Sequence, residues 1–379
     1  MKYVNHKYKV KATIVSPLSI GQGAENDWVE GIDYITRDDI LYHLDTKLLS
    51  DMGIDLDTLA DLFSKGNVQA IDELIGDDLE SVSDFDLELP VPTLSPIKSF
   101  YFNPLIGKYS LLGSSLKGAI RSALFHFFTK NDSAYELRGR QYLNESVFGR
   151  MKNGTDFMRF IRVGDFDFDN TFLVNTKIYN LQKQGNQWIG GWKHATKKTD
   201  TDFRETEFNT VYECLIPGEQ SEAFIMISPL LFGQIRDRQD YSREKSAIMR
   251  DTEGLSPLSS LFRIINSATL DYLDKEISFF NSFPQGANSE LILDSFSQYK
   301  KIVSSFPETN PSECLLKMSV GTGFHSITGD WQFDDYSRTG EYTYGKNRGK
   351  MRYKSRKIAC YKNHYTPMGF LKLSLVSEV

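Results

Sequence analysis

The residues best suited to hold an anion lie in one small-residue stretch, Gly113-Ser114-Ser115-Leu116-Lys117-Gly118-Ala119-Ile120-Arg121-Ser122. It predicts a loop that runs into a helix, with Ser114 or Ser115 as the capping residue. Lys117 and Arg121 are four residues apart and therefore share a helical face. Because free backbone N–H groups and the helix dipole attract anions, we interpret the stretch as a seat for the phosphates of a polymer.

The same stretch leaves a second interpretation open. A nucleotide-binding Walker loop needs Gly-Lys followed by Ser or Thr, whereas here Lys117 precedes Gly118. Apolar residues recur at helical spacing from Leu116 through Phe127. The alternative is therefore a capped core helix whose Lys and Arg only extend along the surface.

A second basic segment lies near the C-terminus. Its cations alternate with small, polar or apolar residues, which places them on one face of an extended segment: Lys346, Arg348, Lys350, Arg352 and Lys354. Directly after them, Lys354, Arg356 and Lys357 lie close to Tyr353 and Tyr361, a mixture of cations and aromatic rings that suits single-stranded nucleic acid. A solvated loop with ordinary surface charge is the alternative.

Side chains for catalysis or metal binding are scattered. None of the six histidines pairs with another at helical or strand spacing, and His325 is the best single candidate for a general base. Asp165, Asp167 and Asp169 alternate at a strand end, and Asp334 is adjacent to Asp335, so either group is a weak metal candidate. We predict no catalytic residue, no metal site and no cofactor.

The net charge of −6 conceals two opposite regions. Residues 25–88 hold 19 acidic and 3 basic side chains, while residues 338–379 hold 10 basic and 2 acidic ones. The acidic region predicts a protein-docking surface that repels nucleic acid, or else a solvated helical face. Three unpaired cysteines and the lack of an apolar signal core or membrane-spanning run predict a cytoplasmic protein without a zinc site.

Hydrophobic periodicity predicts strands that alternate irregularly with helices, which favours an α+β class with mostly antiparallel sheets. The proline-rich residues 90–96 predict an extended linker or an edge strand, and the Gly- and Lys-rich residues 182–202 predict a mobile loop. The clearest strands are predicted at 8–15, 28–44 (a pair), 160–168, 205–216, 222–228, 313–320 and 369–377. The clearest helices are predicted at 55–76, 255–283 and 287–306, together with the loop–helix at 113–129.

Three motifs together resemble the RAMP superfamily of CRISPR systems. They are Ser16-Pro17-Leu18-Ser19-Ile20-Gly21 after the first strand, the Gly113–Arg121 loop–helix, and a C-terminal set of Gly321-Thr322-Gly323-Phe324, Lys354-Ser355-Arg356-Lys357 and Pro367-Met368-Gly369-Phe370. The resemblance implies ferredoxin-like (RRM-like) cores with helical insertions and binding of guide RNA. Within the superfamily, the order and length of the motifs look most like the type III-A Csm complex subunit that caps the 3′ side of the CRISPR RNA.

We divide the chain accordingly into two parts. Residues 1–225 form an N-terminal RRM-like domain with an acidic helical insertion at about 45–90 and the glycine-rich loop–helix at 113–129, and residues 226–379 form a helical segment followed by a C-terminal RAMP-like domain with the basic stretch 338–357. The residues expected to contact RNA are Gly21, Gly23, Gly113, Ser114, Ser115, Lys117, Gly118, Arg121, Lys346, Arg348, Arg352, Lys354, Arg356 and Lys357.

The resemblance implies a non-catalytic subunit that caps the backbone filament and supports CRISPR RNA maturation and antiviral defence. Its expected partners are CRISPR RNA, the other Csm subunits, especially the adjacent backbone subunit, and a host nuclease that trims the RNA 3′ end. No membrane partner is expected. An endoribonuclease that processes CRISPR RNA or cuts target RNA, and an adaptor that binds only proteins, are the alternatives.

Overall fold

A computed structural model of the chain describes residues 5–93, 95–129, 147–149, 156–194, 199–200, 203–228, 256–283, 288–318 and 355–379. A central antiparallel sheet has the order β14-β17-β1-β13-β7. Its strands are β1 (His6–Ile14), β7 (Ile161–Val163), β13 (Gln220–Ile227), β14 (Glu313–Lys317) and β17 (Phe370–Glu378). Every second residue of β1, from Tyr8 to Ile14, is buried, as the alternation predicts.

Two helices pack on this sheet and close its core. They are α4 (Gly113–Thr129) and the long α5 (Pro257–Ser282), whose first turn is capped by the Ser256 hydroxyl. Leu116, Ile120 and Leu124 of α4 are fully buried against the strands. The predicted helix and its end at residue 129 are confirmed, because its apolar spacing and core contacts agree, whereas the helix already begins at Gly113, where a loop was expected.

A second sheet runs in the order β11-β10-β9-β15-β16, and β12 also pairs with β9. Its strands are β9 (Thr171–Gln184), β10 (Gln187–Lys193), β11 (Thr199–Asp200), β12 (Asn209–Leu215), β15 (Ser355–Tyr361) and β16 (His364–Pro367). One face packs on α5 and on α6 (Ser289–Ser304) around buried Tyr179, Trp192 and Phe296. The prediction of a mobile loop at 182–202 is wrong for β9 and β10. Gly190 is needed there because a Cβ would lie 2.1 Å from the Tyr179 hydroxyl.

Both sheets combine strands from before and after the predicted boundary at residue 225. In the first sheet, N-terminal β1 pairs with C-terminal β17, and in the second sheet β9 pairs with β15. The domain boundary predicted at residue 225 falls inside β13, in the middle of the first sheet. The chain therefore does not divide there, whereas the predicted α+β class with antiparallel sheets is confirmed.

The acidic region folds as a lobe with its own small core, here called the acidic lobe (residues 25–88). A three-stranded sheet of β2 (Tyr34–Arg37), β3 (Ile40–Leu44) and β4 (Ser83–Glu88) packs with α1 (Thr46–Asp51), α2 (Leu56–Lys65) and α3 (Val68–Ile75). The single helix predicted at 55–76 is two helices, because Gly66 adopts a left-handed conformation and Asn67 caps α3. Trp28 packs beside Leu173 and Val211 and joins the lobe to the second sheet.

Candidate nucleic-acid interface

The start of α4 is fixed by a small sheet of β5 (Phe102–Asn103), β6 (Lys108–Leu111) and β8 (Phe166–Phe168). The chain passes from β6 directly into α4, and the Gly113 N–H donates to Asp165 Oδ1 at 2.6 Å. The helix begins at Gly113, so Ser114 and Ser115 lie in its first turn. The prediction that one of them caps the helix is wrong, because a carboxylate from a distant segment binds the first N–H group.

The two glycines of α4 have different reasons to be glycine. A Cβ on Gly113 would lie 2.2 Å from the Val163 carbonyl oxygen, so the helix end can approach β7 only without a side chain. A Cβ on Gly118 would meet no heavy atom within 4 Å. Gly113 therefore serves packing, whereas Gly118 leaves the helix backbone open on its outer side.

Lys117 and Arg121 lie half-buried on that outer side of α4. Within the described part of the chain, neither forms a hydrogen bond or an ion pair closer than 4 Å. The Arg121 guanidinium stacks 4.3 Å from the centre of the Phe148 ring. Burial lowers the pKa of both side chains, and the nearby Asp156 carboxylate opposes that shift. A phosphate placed beside them would restore the lost solvation of two cations.

Arg162 and Asp156 complete this site, and sequence reasoning missed both. Arg162 is exposed on β7 and close enough to help lower the pKa of Lys117. Asp156 accepts a hydrogen bond from the Met158 N–H at 2.8 Å and so caps a short turn at Phe157–Phe160. The sequence signal that could have found Arg162 is its alternation with Ile161 in a strand, which turns one of the two side chains to the core and the other to the surface. The site, here called the α4 cation site (Lys117, Arg121 and Arg162), carries a net positive charge beside one carboxylate.

The three alternating aspartates all bind parts of the fold. Asp165 accepts from the Gly113 N–H, Asp167 accepts from the Ser110 hydroxyl at 2.6 Å, and Asp169 pairs with Lys108. In the part of the chain that the structure describes, no group of three His, Cys, Asp or Glu side chains is placed to hold a metal ion. His325, Asp334 and Asp335 lie outside the described residues.

Gly21 and Gly23 lie on an exposed turn after β1. Gly21 forms a bridge to Phe100, and Gly23 has a φ of 109°, which favours glycine. The turn's side-chain hydrogen bonds run from Gln22 to Ser99 and from Asn26 to the Gln22 carbonyl. The turn is therefore tied to the 97–100 segment, and its expected contact with RNA stays a prediction.

Arg356 is not on the surface. Its side chain is 5% exposed, its Nε donates to Glu276 Oε2 at 2.8 Å, and Glu276 is 1% exposed. The guanidinium also stacks 3.6 Å from the centre of the Phe279 ring. The expectation that Arg356 contacts RNA is wrong, because even-numbered residues of β15 face α5. Lys346, Arg348, Arg352 and Lys354, expected to extend this track, lie outside the described residues.

Lys357 lies on the opposite face of β15. Its Nζ donates to the Tyr212 hydroxyl at 2.6 Å, and burial together with nearby Lys98 lowers its pKa to about 8. It lines a cleft of about 610 Å³ whose walls include Thr176, Thr210 and Phe208. Of the adjacent basic residues of β15, only Lys357 thus keeps an amine at an open cleft.

The remaining described histidines are mostly bound to carboxylates. His126 on α4 pairs with Asp271 at 3.1 Å on the buried side of the helix, His43 pairs with Asp84, and His194 pairs with Glu207. All three cysteines are free and buried. In the described residues, no helix is long and apolar enough to cross a membrane.

The sequence model of the RAMP superfamily matches residues 11–245. The chain belongs to the RAMP superfamily. Ferredoxin-like cores agree with its mixed architecture of antiparallel sheets and packed helices. No curated protein sequence matches the chain significantly.

Two solved structures are similar to this RAMP protein over nearly its whole length. One chain of the cryo-EM Csm–crRNA–target RNA ternary complex of a type III-A CRISPR–Cas system aligns with a TM-score of 0.62 and 17% identity, covering 97% of this chain and 100% of that chain. The crystal structure of Csm5 from T. onnurineus aligns with a TM-score of 0.57 and 16% identity, covering 95% of this chain and 99% of that chain. At these identities the likeness shows a shared fold.

Proposed function

We propose that this RAMP protein is a non-catalytic subunit of a type III-A CRISPR complex that binds the backbone of the guide RNA. The observation that carries the proposal is the α4 cation site. There Lys117 and Arg121 form no direct hydrogen bond or ion pair within the described residues, have a single nearby carboxylate in Asp156, and flank the open backbone of Gly118. The full-length likeness to chains of Csm complexes supports the same assignment.

The phosphate is held by the side of α4 and not by its N-terminus. Asp165 already accepts the Gly113 N–H, so a second anion at the helix end would face a carboxylate. Lys117 and Arg121 lie one and two turns further along the helix, and Arg162 adds a third cation nearby. The α4 cation site therefore binds the guide by neutralising its phosphates, and it does not read the base sequence.

In the complex, this subunit caps the backbone filament at the 3′ side of the guide, with an adjacent RAMP subunit and a 3′-trimming nuclease as partners. The proposal of a non-catalytic role is supported by the way the described carboxylates and histidines near α4 are used. Asp165 and Asp167 bond the fold, and His126 faces Asp271 on the buried side of the helix.

The experiment compares Lys117→Met/Arg121→Met with wild type. Methionine keeps the unbranched apolar stem and the helix propensity, so the fold is retained. Binding of a single-stranded guide is measured from low to moderate salt. Each neutralised phosphate contributes roughly 0.7 to the slope of log affinity against log salt, so the slope should fall by about 1.4. Lys47→Met/Lys301→Met, which removes two exposed cations elsewhere, is the matched control.

An unchanged slope in the folded double variant contradicts the proposal. Equal losses in the control pair would also contradict it, because they would indicate general charge attraction. The same samples are incubated with labelled RNA, with and without Mg²⁺. RNA cleavage activity that co-purifies with the protein would favour the endoribonuclease alternative.

A further inference from the structure

A second, smaller cleft lies where the acidic lobe meets the β15–β16 hairpin. Its volume is about 310 Å³, at the lower end of the range for small-molecule pockets. One wall is the end of β4 with Glu88, Pro90 and Val91, and the other runs from Cys360 to Tyr365. The α4 cation site does not contribute to it.

One of the side chains that line the cleft has a buried polar atom without a hydrogen-bond partner. Asn175 on β9 is 1% exposed, and its Nδ2 donates to the backbone oxygen of Glu205 at 3.2 Å. Its Oδ1 is buried and accepts no hydrogen bond. A buried acceptor without a donor is destabilising, and a donor that enters the cleft would relieve that cost once the Asn175 amide turns toward it.

The walls combine flat rings with free carboxylates. Phe172 and Tyr361 meet edge to face with ring centres 5.6 Å apart, and Tyr361 lies 5.7 Å from the His364 ring. Glu88 and Glu205 are exposed at the cleft, and neither is used in a hydrogen bond or ion pair by any side chain in the described ranges. Glu205 lies near enough to Tyr365 to help burial raise the pKa of that phenol.

A group that satisfies these walls needs several donors, a positive charge and a flat face. A guanidinium has five N–H donors in a planar fork, pairs with carboxylates through two bonds and stacks on aromatic rings. A nucleobase would also stack, but its phosphate would lie near two free carboxylates and an acidic lobe with 19 acidic and 3 basic side chains. Among the described residues that line the cleft, Lys362 alone carries a lysine or arginine charge.

We propose that this cleft docks an arginine side chain presented by a protein partner. The Asn175 amide turns so that its Oδ1 accepts one guanidinium N–H, Glu88 and Glu205 balance the charge, and the Tyr361 and Phe172 rings pack against its plane. The acidic lobe then serves as the surface that attracts the partner's basic segment. This proposal does not depend on guide RNA binding at α4.

The probe is acetyl-Gly-Arg-Gly-amide, titrated into the isotope-labelled full chain while the Asn175 side-chain amide signals are followed by NMR. Citrulline in place of arginine keeps the shape and removes the charge. We expect saturable shifts with arginine in the millimolar range, and binding about tenfold weaker with citrulline. Glu88→Gln/Glu205→Gln should weaken arginine binding by about the same factor. The matched control Glu73→Gln/Glu80→Gln, in the same lobe, should bind like wild type.

Equal binding of the arginine and citrulline peptides would overturn the proposal, as would equal losses in the two Gln pairs or no saturable shift. A short single-stranded oligoadenylate provides the competing arm. If it shifts the Asn175 amide and binds more tightly to Glu88→Gln/Glu205→Gln, the cleft takes a nucleobase and the arginine proposal fails.

Discussion

Arg356 and Lys357 are neighbours with matching charge, yet the structure predicts opposite consequences when each is replaced by methionine. Arg356 forms a 2.8 Å ion pair with Glu276 in which the two side chains are 5% and 1% exposed. Removing one partner of such a buried pair leaves an uncompensated charge and costs about 3–5 kcal/mol. The lost stacking on Phe279 adds to this cost, by about 2 kcal/mol for a desolvated cation. We therefore expect Arg356→Met to lower the free energy of unfolding by at least about 4 kcal/mol.

Lys357→Met should lower the free energy of unfolding much less than Arg356→Met does. Its Nζ bonds a neutral phenol, and burial with nearby Lys98 already disfavours its charge, so its pKa is lowered to about 8. We expect a change within about 1 kcal/mol, in the range of one ordinary hydrogen bond. The two variants differ by one position in the same strand, so each controls for the other.

The assay is urea unfolding followed by far-UV circular dichroism and by tryptophan fluorescence. With slopes of about 3 kcal/mol/M or less, the Arg356→Met midpoint should fall by about 1 M or more. Glu276→Met/Arg356→Met should recover most of the loss, because an apolar pair of similar volume replaces the buried ions. If Arg356→Met lies within about 1 kcal/mol of wild type, or if Lys357→Met is equally destabilising, the assignment of Arg356 to a buried ion pair is refuted.

Two further predictions concern α4 and a buried carboxylate. Gly113→Ala should destabilise the fold because its Cβ would meet the Val163 carbonyl, whereas Gly118→Ala should stabilise it by up to about 1 kcal/mol, and urea midpoints that rank the other way would contradict this. Burial raises the pKa of Glu213 from 4.5 to about 7, so its contribution to stability is complete below about pH 4.5 and is lost as the pH rises through 7. Glu213→Gln should remove that pH dependence, and parallel curves of urea midpoint against pH for the two proteins would show that Glu213 does not cause it.

Much of the fold could be predicted from periodicity. The alternation in β1 and β17 and the helical spacing in α4 each agree with the burial that the structure shows. The spacing of residues in the sequence did not predict the structure where a glycine is required by a tertiary contact. Gly190 indicated a loop, but in the structure it makes room for the Tyr179 hydroxyl, a contact between residues of different strands that no local pattern reports.

The candidate site was predictable only in part, for a related reason. Alternation in β15 shows that Arg356 and Lys357 point to opposite faces, but it does not show which face α5 covers. Charge alone therefore assigned both residues to the surface. The partner that decides the matter, Glu276, is 80 residues away in sequence. Asp165, which binds the start of α4, is 52 residues from Gly113, so local sequence patterns could not predict this contact either.

Whether a cation is available to a phosphate depends on what the acids around it are bonding. Asp165, Asp167 and Asp169 follow Arg162 in sequence, and each bonds another group: a helix N–H, a serine hydroxyl or Lys108. Asp156 is the carboxylate whose charge acts on Lys117 and Arg121, and it accepts the Met158 N–H. Lys117, Arg121 and Arg162 thus share one nearby acid, which leaves positive charge for an external anion. The same logic explains the arginine cleft, where Glu88 and Glu205 have no such internal partner in the described structure and are left for an external cation.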